Sequence, residues 1–280
     1  MDLRGIVVAD IDSSQFQVYK FAAVAAALLI AVMLQWLRPF DRTRGIVVRN
    51  WRTNLPLALL NGIVMATVCS GCAYAASRWA VEQRIGLFNS MMVDPYIAVG
   101  ATILLLDFVA YAWHRANHRV PLLWRFHAVH HSDSVYDAST AVRFHIGELL
   151  VSLSVRLAAV LVLGLPVAGI LAFEIIYAFF NFFEHGNISL SVTFSGRLSK
   201  IFVTPTLHRL HHAAELKNLN SNYGTIFSFW DRLFRSFNSR CAGGVFRVGL
   251  PDAGDPVGSV LMVLAMPFRA SSRPMRKRSR

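Results

Sequence analysis

Between Val18 and Leu37 the chain runs for 20 residues with a single charge, Lys20, at its edge. A helix needs roughly 20 apolar residues to cross the hydrocarbon core of a bilayer, so this stretch reads as a membrane span. Two more runs follow: Leu55 to Ser77, which has Pro56 at its start and carries no charge, and Pro95 to about Trp113, which contains one acid, Asp107. A last pair, Leu149 to Leu163 with Arg156 inside it and Val167 to Phe183, flanks Gly164-Leu165-Pro166 and reads as a helical hairpin. Its arms are short or charged enough that it need only dip into the bilayer. The expectation is an all-α integral membrane fold with four to five transmembrane or hairpin helices. Hydrophobic residues make up 55% of the 280 and charged residues only 16%, which excludes disorder and an ordinary soluble domain.

The net charge is +12, and its placement favours a membrane surface over nucleic acid as the partner. Arg38, Arg42, Arg44, Arg49 and Arg52 face only Asp41 in the connection after the first run. Short loops rich in arginine stay cytoplasmic, whereas the stretch before Val18 holds Asp2, Asp10 and Asp12 against Arg4 and fits the far side. The end of the third run and the residues after it then approach the cytoplasmic face. The tail, with Arg269, Arg273, Arg276, Lys277, Arg278 and Arg280, reads as a topology anchor touching anionic lipid. Three cysteines are too few for a disulfide framework, and Cys69-Ser-Gly-Cys72 lies in an apolar run, where plain helix packing explains it.

All ten histidines fall between positions 114 and 212. They form His114-Arg-Ala-Asn-His118, then His127-Ala-Val-His130-His131, single His145 and His185, and finally His208-Arg-Leu-His211-His212. Residues at i, i+3 and i+4 share one face of a helix, so each H-x-x-H-H motif presents imidazoles together and the clusters can surround metal. A catalytic zinc takes about three protein ligands, so eight to ten histidines exceed one such ion and suffice for two. Imidazole alone does not distinguish zinc, copper, nickel and iron. Asp107, Tyr111, His114 and His118 step by 4, 3 and 4 along one stripe, which makes Asp107 and Tyr111 candidates to support the ligands from behind. Asn187 and Asn222 are either supporting partners or turn residues. Phe227, Trp230, Leu233, Phe234 and Phe237 recur at helical spacing, as a helix on the membrane surface or as core under the metal region.

From Asp107-Phe-Val-Ala-Tyr111-Ala-Trp113-His114 through Trp124-Arg125-Phe126-His127-Ala-Val-His130-His131, Glu184-His185-Gly-Asn187, Thr204-Pro205-Thr-Leu-His208-Arg-Leu-His211-His212 and Asn222-Tyr223-Gly224 to Trp230-Asp231-Arg-Leu-Phe234, the chain resembles the fatty acid hydroxylase and sterol desaturase superfamily. The chain departs from that pattern at Ile146, where the family often has proline, and at Arg235-Ser236, where it often has Gly-Thr. The resemblance implies two iron ions held by His114, His118, His127, His130, His131, His208, His211 and His212, with His145 and His185 as additions. It implies O2 as co-substrate and a fatty acyl chain or sterol that is hydroxylated or desaturated. Three cysteines cannot supply an iron–sulfur cluster, so electrons are expected from a separate reductase and a donor of cytochrome b5, ferredoxin or rubredoxin type. The expected division is 1–106 as N-terminal membrane helices, 107–240 as the catalytic domain and 241–280 as a basic tail. The rival readings are a zinc-dependent membrane hydrolase and a non-catalytic metal-binding or transport protein.

Overall fold

The computed structural model describes residues 11–42, 44–69, 71–91, 93–239, 247–250 and 259–269. The acids and arginine before residue 11, the tail beyond Arg269, Cys241 and the side chains of Arg44 and Arg49 lie outside the described residues.

Every regular element among them is helical, with only isolated bridges between extended residues. In chain order the helices are α1 (Ser13–Leu37), α2 (Arg44–Cys69), α3 (Cys72–Glu82), α4 (Leu87–Met91), α5 (Pro95–Arg119), α6 (Pro121–His131), α7 (Ile146–Leu163), α8 (Val167–His185), α9 (Val192–Leu198), α10 (Pro205–His211), α11 (Leu216–Leu219), α12 (Phe229–Leu233) and α13 (Val260–Ala265). Local chemistry sets their starts. Asp12 caps α1 in a reciprocal capping box with Gln15, Asp94 caps α5 just before Pro95, and Thr204 caps α10 just before Pro205.

Among the described residues five helical stretches are long and apolar enough to cross a membrane: Ser13–Leu37, Asn50–Met91, Pro95–Arg119, Ile146–Leu163 and Val167–His185. Their outward faces carry large apolar side chains such as Leu29, Leu59 and Val162, as contact with lipid requires. The protein is thus a multi-pass membrane protein. The hairpin arms α7 and α8 have 18 and 19 residues. At 1.5 Å per residue each is about 27 Å long, close to a full span rather than a dip.

The second apolar run is interrupted where the sequence suggested continuous packing. Gly71 takes a left-handed conformation (φ 75°) between Cys69 and Cys72, and both thiols are free. Pro56 sits inside α2 rather than before it. The aromatic stretch from Phe227 to Phe237 forms only the short α12, and its rings pack on α5: Phe108 lies 5.1 Å from Trp230 and 5.7 Å from Phe234 between ring centroids. The segment packs on α5 along one edge, with Phe227, Trp230 and Phe237 half-buried, while Leu233 (65%) and Phe234 (37%) stay exposed, so it combines the two readings.

Helices α1 and α5 pack along α8. Polar side chains then tie α1 and α2 to the segment after α6. Asn50 and Asn54 of α2 both donate to Asp133 Oδ2, at 2.8 and 3.0 Å, and buried Arg143 donates to Asn54 Oδ1 at 2.8 Å. Gln35 of α1 accepts from Ala138 N, which opens a 3-10 turn over Ala138–Val142. Each buried donor here meets an acceptor, as burial in low dielectric demands.

The two departures from the family pattern have local explanations. Ile146 is the first residue of α7, a position that proline also suits because the missing N–H is unpaired there anyway. Arg235 has φ 58°, the left-handed region that glycine occupies without strain.

Gly164 closes the α7–α8 hairpin at φ 68°, where an added Cβ would stand 2.7 Å from Asn89 Nδ2 and 2.8 Å from Ile85 O. Gly164→Ala is expected to destabilise the fold by at least about 1–2 kcal/mol from the left-handed backbone alone. Thermal unfolding in detergent checks this, and an unchanged midpoint would show that the turn can relax.

Candidate metal centre

The histidines converge at one end of the bundle, from the last turns of α5 and α8, from α6 and from α10. Their ring nitrogens form two sets, each with all its ligand atoms within 4.8 Å of one another. One set is His114, His118, His127, His131 and His211; the other is His130, His185, His208 and His212.

Each H-x-x-H-H motif is divided between the sets. His127 and His131, one turn apart on α6, join the first set while His130 joins the second. In the other motif the assignment is reversed: His208 and His212 join the second set and His211 the first. On a helix the i+3 and i+4 side chains flank the direction of residue i on opposite sides, so one short motif can serve two adjacent points.

Hydrogen bonds fix which nitrogen faces inward. The Nδ1 of His114 donates to Tyr223 O at 2.9 Å, that of His211 to Ser221 O at 2.6 Å, that of His185 to Asn181 O at 2.7 Å and that of His127 to Glu148 Oε1 at 2.7 Å. A backbone carbonyl or carboxylate can only accept, so Nδ1 holds the proton and Nε2 is left as a bare lone pair. The Nε2 atoms of His114, His127 and His211 are buried without a partner. So are both ring nitrogens of His118, His131 and His212. In the second set His185 Nε2 lies 3.1 Å from His130 Nε2 and 3.0 Å from His208 Nε2.

Unpaired buried nitrogens cost roughly 1–3 kcal/mol each, and so many lone pairs at one place have no reason to converge except toward a cation. The donor set fits a soft-to-borderline metal such as iron or zinc and does not suit a hard oxygen-seeking ion. Burial, reinforced by repulsion from neighbouring imidazoles, holds His130, His131, His208 and His212 well below the ordinary histidine value and His211 at about 3. All five are neutral at pH 7, the form that binds metal.

The other candidate residues act at a distance from these nitrogens. His145 stands outside both sets: it caps α7, where its Nδ1 accepts from Gly147 N, and its Nε2 lies 3.2 Å from Leu264 O near α13. Asp107 accepts from Ile226 N, Phe227 N and Trp230 Nε1 at 3.1, 3.2 and 2.9 Å, so it anchors the loop behind the site and not a histidine. Tyr111 shares a hydrogen bond with Ser236 Oγ and meets Tyr223, whose ring stands 5.7, 5.2 and 5.6 Å from the rings of His114, His118 and His211. Asn187 accepts from Arg209 Nη2 and Asp41 N, joining α10 to the end of α1. Asn222 is a turn residue with φ 55°, donating to Leu207 O and Asn238 O. That turn aims the carbonyls on either side of it, Ser221 and Tyr223, at two histidines of the same set.

Glu148 and Glu184 were present in the sequence only as two of a few acids among the histidines. Glu148 bonds His127, and Glu184 Oε2 lies 3.6 Å from His208 Nδ1. Glu148 sits three residues after His145, about one helical turn on, a signal available in the sequence, whereas the carbonyl acceptors carry none. A cavity of about 360 Å³ opens from this site between the helices, lined at the histidine end by His114, His127, His130 and Glu184 and elsewhere by Leu106, Val155 and Tyr177.

Helices long enough to span a membrane that close over two sets of imidazoles define a membrane protein with a histidine site able to hold metal. Residues 99–236 match the fatty acid hydroxylase family, and through that domain the chain belongs to the fatty acid hydroxylase superfamily. Among curated proteins it is 32% identical over 171 residues to the ornithine lipid hydroxylase OlsE of Rhizobium tropici, covering 61% of this chain and 50% of that one. It is 31% identical over 134 residues to an alkylglycerol monooxygenase of Caenorhabditis elegans, covering 48% and 25%. A very-long-chain aldehyde decarbonylase, GL1-5 of Oryza sativa subsp. indica, is 29% identical over 143 residues, covering 48% and 22%. The chain thus spans half or less of the length of these relatives. No solved structure matches it.

Two outcomes are expected. In metal-free protein, stability is full above pH 6.5 and is lost as pH falls from there toward 3, because unfolded imidazoles take up protons that buried ones refuse. Denaturation midpoints across pH check the sign. Glu148→Ala, which removes the acceptor for His127 Nδ1, should weaken metal binding about 10- to 100-fold, read by competition with a chelator.

Proposed function

We propose that the protein is a membrane-bound di-iron oxygenase that uses O2 and electrons from a separate donor to hydroxylate, or less readily desaturate, a lipid with a long hydrocarbon chain. The observation that carries this reading is the pair of histidine sets, each with bare inward nitrogens, at the head of an apolar cavity. The names of the relatives, a lipid hydroxylase, a monooxygenase and a decarbonylase, support an oxidative reaction on a lipid. In this reading residues 1–106 anchor the enzyme, 107–240 carry the chemistry and 241–280 form a basic tail.

His114, His118, His127, His131 and His211 would hold one iron, and His130, His185, His208 and His212 the other. Bound there, two irons would supply the electrons and the oxidising power for O2 to remove hydrogen from an unactivated C–H bond. The chain's own residues do the rest. Glu148 and the carbonyls of Asn181, Ser221 and Tyr223 lock four imidazoles in one tautomer and orientation. Phe144, stacked on His130 at 4.4 Å, and Trp124, 5.0 Å from His118, keep water from the ligands. The cavity admits a hydrocarbon chain from the bilayer.

The metal end is the end that carries the arginine-rich connection after α1, since Asn187 beside His185 bonds Asp41. By the positive-inside rule this supports a site at the cytoplasmic face. Exposed Arg119 and neighbouring Arg115 lie just outside Tyr223 and suit an acidic electron carrier.

Metal analysis of protein from iron-replete cells, beside a His130→Ala/His211→Ala variant, tests this. Close to two irons per chain, lost in the variant, with a lipid product that requires both O2 and reductant, is the expected result. Stoichiometric zinc that survives iron supplementation would replace the oxygenase with a zinc hydrolase.

A further inference from the structure

Three ionisable side chains meet inside the membrane at a place where no metal ligand needs them. Arg156 of α7 bonds Glu174 Oε1 of α8 through Nη1, and Glu174 Oε2 lies 3.4 Å from Lys20 Nζ of α1. Two cations share one carboxylate, so the cluster sums to one positive charge. A charged side chain at mid-membrane costs about 2.5–3.5 kcal/mol even on the lenient insertion scale, and such residues ordinarily face a partner or a cavity.

The two cations are placed differently. The Lys20 side chain is 36% exposed, two turns into α1, where its long stem can reach toward the headgroups. The Arg156 side chain is 23% exposed and lines the same cavity as His127, His130 and Glu148, with its guanidinium 5.7 Å from the ring centroids of both Phe173 and Tyr177. Glu174 already has both oxygens engaged by the two cations, whereas a guanidinium has five N–H donors and the Glu174 bond uses one. Arg156 follows Glu148 by eight residues on one helix, which puts it about 12 Å along the axis from the residue that orients His127. The cavity therefore has a histidine-lined head and a cationic, donor-rich floor, with largely apolar walls between them that Ser152, Asn61 and Thr225 interrupt.

We propose that Arg156 is a substrate-anchoring and specificity-determining residue: its free guanidinium donors bind a carboxylate or carbonyl oxygen of an acyl lipid and thereby set which carbon of the chain reaches the metal end. The selection of carbon rests on the lipid-oxygenase reading; the binding of the oxygen group does not. The alternative is that Arg156 only neutralises Glu174.

The test uses the full chain in lipid nanodiscs and three probes of one chain length: hexadecanoic acid, its methyl ester and hexadecane, each displacing a fluorescent fatty-acid analogue. The wild-type protein is expected to rank acid over ester over alkane. Arg156→Gln/Glu174→Gln removes both charges together, so no buried carboxylate is stranded; it should lose at least about tenfold in affinity for the acid, or 1.4 kcal/mol, less for the ester, and nothing for the alkane. Glu174→Gln alone frees another donor and should hold the acid as tightly as wild type or tighter. Unchanged acid and ester affinity in the double variant, or an equal loss for all three probes, overturns the anchor. Iron content measured on the same samples separates the two readings: an Arg156-dependent acid preference in a protein that binds no iron would leave the anchor standing and remove the oxygenase. Where the protein is active, the double variant should also spread the site of oxidation over several carbons.

Discussion

A buried imidazole with its Nδ1 proton tied to a carbonyl has one lone pair left and nowhere to put it. This structure repeats that arrangement at His114, His185 and His211, adds His127 on a carboxylate, and brings the four together with five more buried histidines. The surrounding architecture follows from meeting that demand. Helices α5 and α8 deliver ligands from their last turns, α6 and α10 lie across those ends, and the turn at Asn222 supplies carbonyls from behind. Without a cation the centre is a nest of unsatisfied polar atoms in low dielectric, so a metal bound there would couple to folding at this end of the molecule.

That coupling explains why so much polar structure lies away from the ligands. Asp107 holds the 226–230 loop, Asp133 and Arg143 tie α2 to the segment after α6, and Arg209, sandwiched between Phe40 and Tyr136 at 4.5 and 4.6 Å, ties α10 to α1. None of these contacts a histidine nitrogen in place of metal. Each fixes a backbone whose small displacement would move a ligand, and the membrane spans provide the rigid frame against which they are braced. The cavity between those spans then joins a polar head to a largely apolar interior, and Arg156, held by Glu174 behind it, is the cation in its wall.

The spans were legible because the bilayer imposes a length and a composition that few other folds require. The hairpin was legible from Gly164-Leu165-Pro166, whereas only the packing of α7 beside α8 decided that Arg156 pairs with Glu174. The break at Gly71 was hidden inside an apolar run, since a left-handed glycine leaves hydropathy unchanged. The fate of Phe227 to Phe237 was ambiguous for a related reason: aromatic spacing serves a lipid surface and a protein core equally well, and only the position of α5 decided that Phe227, Trp230 and Phe237 are half-buried while Leu233 and Phe234 stay exposed.

The sequence by itself determined the membrane-spanning helical class, the clustering of histidines and their presentation one turn apart, because hydrophobic length and helical period are local properties. Tertiary structure alone decided that each H-x-x-H-H motif is split between two ligand sets, that His145 caps a helix apart from both, and which nitrogen of each ring faces inward. Those outcomes depend on how α5, α6, α8 and α10 cross, and on backbone carbonyls that every residue possesses and no residue advertises.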